Sequence, residues 1–415
     1  MINRVKGTQD ILNLKLHDFI ISLAEKHMQI YNFSKIETPI IEYTKLFVHS
    51  LGEQTDIVSK EMFIIPPRTE GEDSICLRPE ATASTMRAYL ENHITEKPWK
   101  VFSYGPMFRY ERPQKGRWRQ FEQFNIEIIN SNSIMQDAQF IKMLDTFFSE
   151  KLNLNNYVIK LNFLGTLEDR KNHRKALYEF ITKHENEICN TCKERKEKNL
   201  LRIFDCKSDV CQKIYTEAPK LTDYLSEKSL MEWNALLNTL DILSVSYVID
   251  HKLVRGLEYN KKTVFEFSSD ELGAQNAFCG GGRYELAKEF EEKNEIPSIG
   301  CAIGMGRLLM LVEKNQSNLQ IPQYPPLTVI LPMSEQQQEL ALLLAYNLQS
   351  NDICVDVLLE NASVTNMMKK ANKLGAKFVL ILGEEEQEKG TVSVKNMQTG
   401  QSEIVRQAEI LSVLK

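Results

Sequence analysis

The sequence predicts a large unit of mixed strands and helices, interrupted by a helical insertion, and a small α/β domain that follows it. Three observations predict this organisation. Apolar residues recur with strand and helix spacing through residues 1–325. Residues 169–242 are instead rich in Lys and Glu and keep only the helical spacing. Residues 326–415 alternate strand and helix patterns, which is typical of a mostly parallel sheet.

The composition is that of an ordinary globular protein. The chain has 415 residues, 42% hydrophobic and 26% charged, with a net charge of −5. This length predicts two or three domains. No apolar run reaches the roughly 18 residues that a membrane span needs, and the first residues lack the apolar core of a signal peptide. We therefore expect a cytoplasmic protein without a membrane partner.

The elements of the large unit follow from its apolar spacing. Gln120–Ile129 alternates so that Phe121, Gln123, Asn125 and Glu127 share a face polar enough to line a site. The predicted elements are a helix at Leu16–Tyr31, a strand around Ile36–Ile41 that is irregular at Pro39, a strand leading into a helix over Cys76–Tyr89, strands at Val101–Arg109 and Gln120–Ile129, a helix at Asp137–Leu152, strands at Tyr157–Leu164, Val245–Ile249, Thr263–Phe267 and Ile299–Ile303, and a helix from Met305.

The small domain is preceded by a linker, because Lys314–Pro326 is polar and then Pro-rich. Its predicted elements are strands at Leu327–Leu331, Val355–Leu358, Phe378–Ile381 and Thr391–Val394, and helices at Glu335–Gln349 and Val364–Leu374.

A cation-rich loop joins the predicted strand that ends near residue 109 to the one that begins near residue 120. Arginine suits bidentate contact with phosphate, and the interleaved aromatic side chains can stack on a base. The loop therefore predicts a grip on a nucleotide or polyphosphate; the alternative is a solvated charged hairpin. The cations are Arg109, Arg112, Lys115, Arg117 and Arg119, and the aromatic residues are Phe108, Trp118 and Phe121.

Other segments place charge beside a helix start or flexible backbone. Glu80 and Thr82 stand at a helix start, where Glu80 either holds an ammonium group or caps the helix. Arg307 begins an apolar helix after a glycine-rich strand, which makes an anion site or simply allows tight packing. Arg255 stands on a glycine turn, where a surface ion pair is the alternative.

Three successive glycines in Cys279–Tyr284 allow a ligand or a strand to approach the backbone closely.

Neither a Ser/His/Asp nor a Cys/His nucleophile arrangement stands out. Arginines without an obvious base predict catalysis by positioning and charge neutralisation, as in nucleotidyl transfer.

Four cysteines form a C-x2-C-x13-C-x4-C pattern within the insertion. In a reducing compartment this spacing fits a structural Zn²⁺ better than disulfides, although the second pair is looser than usual. The four are Cys189, Cys192, Cys206 and Cys211. The remaining cysteines stand singly among apolar neighbours, and we expect buried thiols at Cys76, Cys279, Cys301 and Cys354.

Taken together, these segments resemble the histidyl-tRNA synthetases, a family of class II aminoacyl-tRNA synthetases, over essentially the whole chain. The matching segments are Lys6–Asp10 (opening motif), Glu37–Tyr43 with Glu53–Phe63 (motif 1, which forms the dimer), Phe108–Glu127 (motif 2), Leu253–Glu266 and Cys279–Glu285 (the two histidine-specific signatures) and Ile303–Arg307 (motif 3).

The resemblance implies an α+β class II catalytic domain over residues 1–325, with a six-stranded antiparallel sheet and a helical insertion at about 169–242. An α/β anticodon-binding domain would occupy residues 326–415. The implied function is ATP-dependent ligation of L-histidine to tRNA(His) through a histidyl-adenylate, by a homodimer, with ATP as substrate and Mg²⁺ on its outer phosphates.

The resemblance also implies residue roles. Arg109, Arg255 and Arg307 would be catalytic, with Arg109 and Arg255 at the ATP α-phosphate. The implied ATP contacts are Arg109, Glu111, Arg117, Phe121 and Arg307; the histidine contacts are Glu80, Thr82, Gln123, Glu127, Arg255 and Tyr259; and the contacts with the tRNA acceptor end are Gln114, Lys115 and Gly116.

The chain departs from the family pattern in three motifs. Glu258, Tyr259 and Asn260 stand where the family usually has Asp-Tyr-Tyr, so the second tyrosine of the imidazole site is replaced. Gly306 stands where motif 3 usually has Glu. Glu285 stands where Asp usually follows Gly-Gly-Arg-Tyr.

An alternative interpretation keeps the fold without the reaction: a non-catalytic, synthetase-like regulatory subunit that senses histidine or uncharged tRNA. Such relatives tend to lose the signature arginines or the last domain, and both are present here. In that domain, a lysine group at helical spacing is either a set of phosphate contacts or a solvated face. It comprises Lys369, Lys370, Lys373 and Lys377.

Overall fold

The structure, a computed structural model, describes residues 2–53, 55–198, 200–254, 260–273, 275–360 and 362–414. The chain divides into two compact units, Met1–Ile321 and Pro322–Lys415. No helix in the described residues is long and apolar enough to cross a membrane.

The first unit is built on one large sheet and one small one. Its strands are β1 (Ser34–Lys35), β2 (Ile41–Tyr43), β3 (Phe63–Ile65), β4 (Ile75–Leu77), β5 (Trp99–Phe108), β6 (Gln120–Ile129), β7 (Val158–Phe163), β8 (Val248–Ile249), β9 (Asn260–Ser268), β10 (Ala277–Tyr284) and β11 (Ser298–Gly304).

The large sheet has the order β1-β5-β6-β11-β10-β9-β7-β8. Its six central strands pair antiparallel throughout, and the two-residue strands β1 and β8 add a parallel edge at each side. The implied six-stranded antiparallel sheet is therefore confirmed. Strands β2, β4 and β3 form a separate antiparallel sheet.

The helices of this unit precede, cover or interrupt the sheet. They are α1 (Lys15–Ile30), α2 (Thr44–Leu51), α3 (Thr82–Glu91), α4 (Ile134–Thr146), α5 (Leu167–Lys183), α6 (Asn190–Lys198), α7 (Asp209–Ile214), α8 (Glu227–Ile242) and α9 (Met305–Asn315), with π-helical turns at Ile57–Glu61 and Phe147–Lys151 and a 3-10 helix at Leu200–Asp205. Helices α5 to α8 form the insertion that the Lys- and Glu-rich composition predicted.

The main core lies between the large sheet and helices α1, α4, α8 and α9. Phe124, Ile126 and Ile128 of β6 pack there with Leu144 of α4 and Leu308 of α9. The alternate residues of β6 therefore face away from these helices, as the alternation predicted. That second face carries the polar side chains and is where the cleft described below opens.

Two local predictions differ from the structure. The strand predicted around Ile36–Ile41 is instead a connection between the short strands β1 and β2, since Pro39 has no N–H to donate to a ladder. The glycine run, for which no strand was predicted, lies inside β10. A Cβ on Gly281 would lie 2.6 Å from Cβ of Cys301, and one on Gly282 would lie 2.5 Å from the carbonyl oxygen of Thr263. The glycines thus let three strands pack closely.

The second unit is a five-stranded sheet with helices. Its strands are β12 (Thr328–Pro332), β13 (Val355–Val357), β14 (Phe378–Leu382), β15 (Thr391–Asn396) and β16 (Ser402–Arg406), and its helices are α10 (Gln338–Gln349), α11 (Val364–Lys373), α12 (Glu384–Lys389) and α13 (Ile410–Leu414).

In the order β13-β12-β14-β15-β16, the first two pairings are parallel and the last two antiparallel. The prediction of a mostly parallel sheet was therefore only half right, since β16 was not predicted. Cys354 is exposed, contrary to expectation, because it precedes the short strand β13; Cys76, Cys279 and Cys301 are buried as expected.

Candidate functional site

A cleft of about 700 Å³ opens on the polar face of the large sheet. Strands β6, β10 and β11 form its floor, and small residues of β11 leave room above the sheet: Gly300, Ala302 and Gly304. The predicted site residues that line the cleft are Glu80, Thr82, Arg109, Glu111, Gly116, Arg117, Phe121, Gln123 and Arg307.

Three arginines converge at one end of this cleft. Arg109 donates from Nε to the carbonyl of Pro79 at 2.9 Å, and its guanidinium lies 5.4 Å from the ring centre of Phe121. Arg307 donates from Nε to the carbonyl of Gly116 at 2.9 Å and from Nη1 to the carbonyl of Ala277 at 2.6 Å. These partners orient both side chains without neutralising their charge.

The third arginine is paired. Nε of Arg117 lies 2.6 Å from Oε2 of the buried Glu111. Burial lowers the pKa of Arg307, and the positive charge of Arg117 lowers it further. An anion bound at this end would relieve that destabilisation of the cations.

The tip of the cation-rich loop is a tight turn. The backbones of Gln114 and Arg117 exchange two hydrogen bonds, of 3.1 and 2.9 Å. Gly116 has a φ of +75°, which favours glycine. Gln114 and Lys115 are exposed at the tip, outside the cleft.

The opening motif braces the base of this loop, a role that the sequence did not indicate. The carbonyl of Gly7 accepts a 2.8 Å hydrogen bond from the amide of Arg119. The guanidinium of Arg119 lies 3.8 Å from the ring centre of Tyr110 and donates to the carbonyl of Glu111 at 3.3 Å. Arg119 therefore stabilises the loop.

Next to Pro79, which orients Arg109, Glu80 caps α3. Its carboxylate accepts hydrogen bonds from the amides of Thr82, at 2.7 Å, and Ala83, at 2.9 Å. Burial nevertheless raises the pKa of Glu80. Each carboxylate oxygen has a second lone pair, so capping and binding of an ammonium group are compatible.

Gln123 is buried on the same face, and its Oε1 makes no hydrogen bond with any described residue. A buried acceptor without a partner costs free energy, so this atom favours a ligand that donates to it.

Glu127 lies behind the cleft wall and is 1% exposed. Its carboxylate accepts hydrogen bonds from the hydroxyls of Thr82, at 2.7 Å, and Tyr284, at 2.8 Å. Burial raises its pKa to about 8, against the effect of those two hydrogen bonds. Tyr284 had no predicted role, although its place in the second histidine-specific signature could have indicated one.

The arginine of that signature faces elsewhere. Arg283 is buried and donates from Nε to Asp137 at 2.9 Å, and from its two terminal nitrogens to the carbonyls of Ser131 and Ser133, each at 2.5 Å. It ties β10 to the start of α4 and does not line the cleft.

Two predicted residues, Arg255 and Tyr259, lie outside the described residues. Of the departures from the family pattern, Asn260 is buried and lines the cleft. Gly306 also lines it, and no atom lies within 4 Å of the point where its Cβ would be. The four clustered cysteines lie in the insertion, outside the cleft.

Comparisons with known proteins cover both units. A family model described as histidyl-tRNA synthetase matches residues 20–308, and one described as an anticodon binding domain matches residues 328–415. A histidine–tRNA ligase of Fervidobacterium nodosum is 40% identical over 100% of this chain and 98% of its own length. That of Halothermothrix orenii is 38% identical over 99% of this chain and 98% of its own length.

Solved structures agree with these relatives. The crystal structure of apo S. aureus histidyl-tRNA synthetase is similar with a TM-score of 0.80 and 31% identity over 100% of both chains. A Bacillus halodurans protein described as an ATP phosphoribosyltransferase regulatory subunit/histidyl-tRNA synthetase has a TM-score of 0.62 at 19% identity, covering 89% of this chain and 96% of that one. The second likeness concerns the fold alone.

Proposed function

The chain belongs to the histidyl-tRNA synthetase family, and from this membership we propose how its cleft carries out the family's reaction. That reaction is the ATP-dependent ligation of L-histidine to tRNA(His). The regulatory alternative is not favoured, because relatives named histidine–tRNA ligase match along 99% to 100% of this chain. The single observation that supports the division of roles is that one cleft is lined both by three arginines, which suit phosphates, and by the buried polar residues Glu80 and Gln123, which suit an ammonium group.

ATP would bind at the arginine end. Arg109 is oriented by the carbonyl of Pro79 and would contact the α-phosphate. Arg307 would contact the γ-phosphate or adenine, and Arg117 with Glu111 would hold the outer parts of the nucleotide. Phe121 would stack on adenine. From the resemblance alone, Arg255 would neutralise the α-phosphate as the charge develops in the transition state.

Histidine would bind at Glu80 and Gln123. The free lone pairs of Glu80 and Oε1 of Gln123 suit its ammonium group. Thr82 donates its hydroxyl to Glu127, so we assign it the role of positioning that carboxylate. Glu127 would accept the imidazole N–H, and from the resemblance alone Tyr259 would also contact the histidine. The histidine carboxylate would then attack the α-phosphate, and pyrophosphate would leave.

Mg²⁺ fits the donors of this cleft. Among the described residues, no group of three carboxylates is preformed there. Mg²⁺ is usually held by one or two carboxylates together with substrate phosphates, and Glu61, Glu111 and Glu266 line the cleft. Once bound, it would reduce the negative charge of the outer phosphates.

The remaining partners are proposed from exposed surfaces. Gln114 and Lys115 at the exposed loop tip would contact the tRNA acceptor end, and the second unit would bind the anticodon. The small sheet, whose strand β2 lies in the segment that resembles motif 1, exposes Ile41, Tyr43 and Ile64 at 52%, 55% and 52%. Such an apolar patch favours a homodimer.

Histidine-dependent exchange of pyrophosphate into ATP tests the first half-reaction, and charging of tRNA(His) tests the second. We expect both, and we expect exchange to be lost in Arg109→Ala while the thermal unfolding temperature stays near that of the wild type. A folded wild-type protein without exchange would refute the proposed chemistry. Light scattering tests the dimer, with Ile64→Glu giving monomers and Ile404→Glu, in the second unit, serving as the exposed control.

A further inference from the structure

The insertion brings four thiols together. Cys189, Cys192, Cys206 and Cys211 come from the start of α6, the end of the 3-10 helix Leu200–Asp205, and α7. Their sulfur atoms all lie within 4.8 Å of one another, and all four cysteines are free thiols. Residues up to 22 positions apart in the chain are therefore gathered at one point.

The spacing of the sulfurs suits one ion. Four sulfurs around Zn²⁺ at about 2.3 Å would be about 3.8 Å apart in a tetrahedron, and Sγ of Cys189 lies 3.8 Å from Sγ of Cys206. A multi-iron cluster would hold its thiolates farther apart than this group allows. The geometry matches a single thiophilic ion with no open coordination position.

Backbone amides are directed at two of the sulfurs. The amide of Cys189 donates to Sγ of Cys211 at 3.3 Å, and that of Ser208 donates to Sγ of Cys206 at 3.4 Å. Hydrogen bonds of this kind stabilise the negative charge of thiolate ligands and fix their orientation.

The surrounding core is small. Around the thiols it consists mainly of Leu177, Ile181, Ile188, Leu200, Ile203 and Tyr215. Small cores of this kind are commonly completed by a structural metal. From these observations we propose that the cysteine group binds one structural Zn²⁺ as four thiolates.

The Zn²⁺ site would also position charges at the catalytic cleft. Arg195, Arg202 and Lys207 line the cleft from the insertion, and each lies within four residues of a cysteine of the group. Nη2 of Arg202 lies 2.7 Å from Oδ2 of Asp56, which joins the insertion to the segment before the π-helical turn. The metal would therefore hold three cations at the rim where anionic substrates enter; this second part rests on the proposed function.

The first test measures metal in the full-length wild type, purified under reducing conditions without chelators. Elemental analysis should find one zinc per chain. That zinc should be released as the thiols are titrated. In Cys206→Ser the zinc should fall by at least about tenfold, since a closed tetrahedral site needs all four ligands. Cys354→Ser, which changes an exposed cysteine outside the group, should keep the full amount.

Metal-free wild type, or a mass lower by four hydrogens that indicates two disulfides, would overturn the zinc site. Replacement of zinc by Co²⁺ provides a second readout, because four thiolates give intense charge-transfer absorption that vanishes if Co²⁺ binds only through carboxylates. Neither readout depends on enzymatic activity.

The positioning role is tested by kinetics on folded Cys206→Ser. The KM for tRNA should rise about tenfold with a smaller change in kcat, as expected when phosphate contacts are lost, while Cys354→Ser matches the wild type. An unchanged KM in a zinc-free, folded variant would overturn the positioning role and leave the zinc site itself standing.

Discussion

The carboxylate of Glu127 occupies the space into which a side chain at Gly300 would project, because the two residues are cross-strand neighbours on β6 and β11. A single added methyl group would overlap both carboxylate oxygens. The glycine is therefore required by the site, since its own φ does not demand glycine.

Gly300→Ala should displace Glu127 and impair histidine activation. We expect kcat/KM for histidine in pyrophosphate exchange to fall by about tenfold to a hundredfold, the effect of losing one hydrogen bond to a charged group. The double variant Gly300→Ala with Glu127→Ala should be no worse than Glu127→Ala alone, because removal of the carboxylate makes room. Additive losses would contradict this explanation.

The pH profile should report the ionisation of Glu127. Its pKa is raised to about 8 by burial, so the carboxylate that accepts the imidazole N–H forms only as the pH rises through that value. We expect kcat/KM for histidine to increase between about pH 7 and 9 and to level off above, a range beyond the imidazole's own pKa of about 6.5. Glu127→Gln should abolish the increase, and a wild-type profile that is flat over this range would argue against the assignment.

Arg307 should matter far more for activity than an exposed cation of the cation-rich loop. Its removal deletes the hydrogen bonds to Gly116 and Ala277 as well as a charge for ATP. We expect Arg307→Ala to lower kcat/KM for ATP by about a hundredfold, and Arg307→Lys to rescue little, because the planar fork is lost. Arg112→Ala is the control, and equal effects in the two alanine variants would exclude a specific role for Arg307.

The Arg283–Asp137 pair should stabilise the fold without contacting substrate. Arg283→Met leaves a fully buried carboxylate without its cation and should cost about 3–5 kcal/mol of unfolding free energy in urea denaturation. Lys389→Ala, which breaks an exposed pair with Glu385, should leave the unfolding free energy nearly unchanged. A comparable loss of unfolding free energy in both variants would contradict the structural role. The KM for histidine of folded Arg283→Met should equal that of the wild type.

The sequence predicted well what depends on neighbours in the chain. Alternation in β6 separated Gln123, Asn125 and Glu127 from the core residues Phe124, Ile126 and Ile128. The cation-rich loop and the cysteine pattern were visible for the same reason, since their spacing is local.

What depends on distant pairings was not predicted. The strand β10 carries three glycines, which disfavour a strand on propensity alone; only the close approach of β9 and β11 explains them. The contacts of Glu127 with Tyr284 and Gly300 depend on the register of strands far apart in sequence. The hydrogen bond from Arg119 to Gly7 likewise joins the start of the chain to motif 2, which no local pattern indicates.

The insertion departs after β7 and returns at β8, and these two strands lie side by side, with Leu161 opposite Ile249. Its two ends are therefore neighbours at one margin of the sheet, so the chain leaves and rejoins the sheet without interrupting the six central strands. Helices α5 to α7 could change in length without altering the order of those strands, whereas α8 is tied to the main core through Trp233, Leu236 and Leu240.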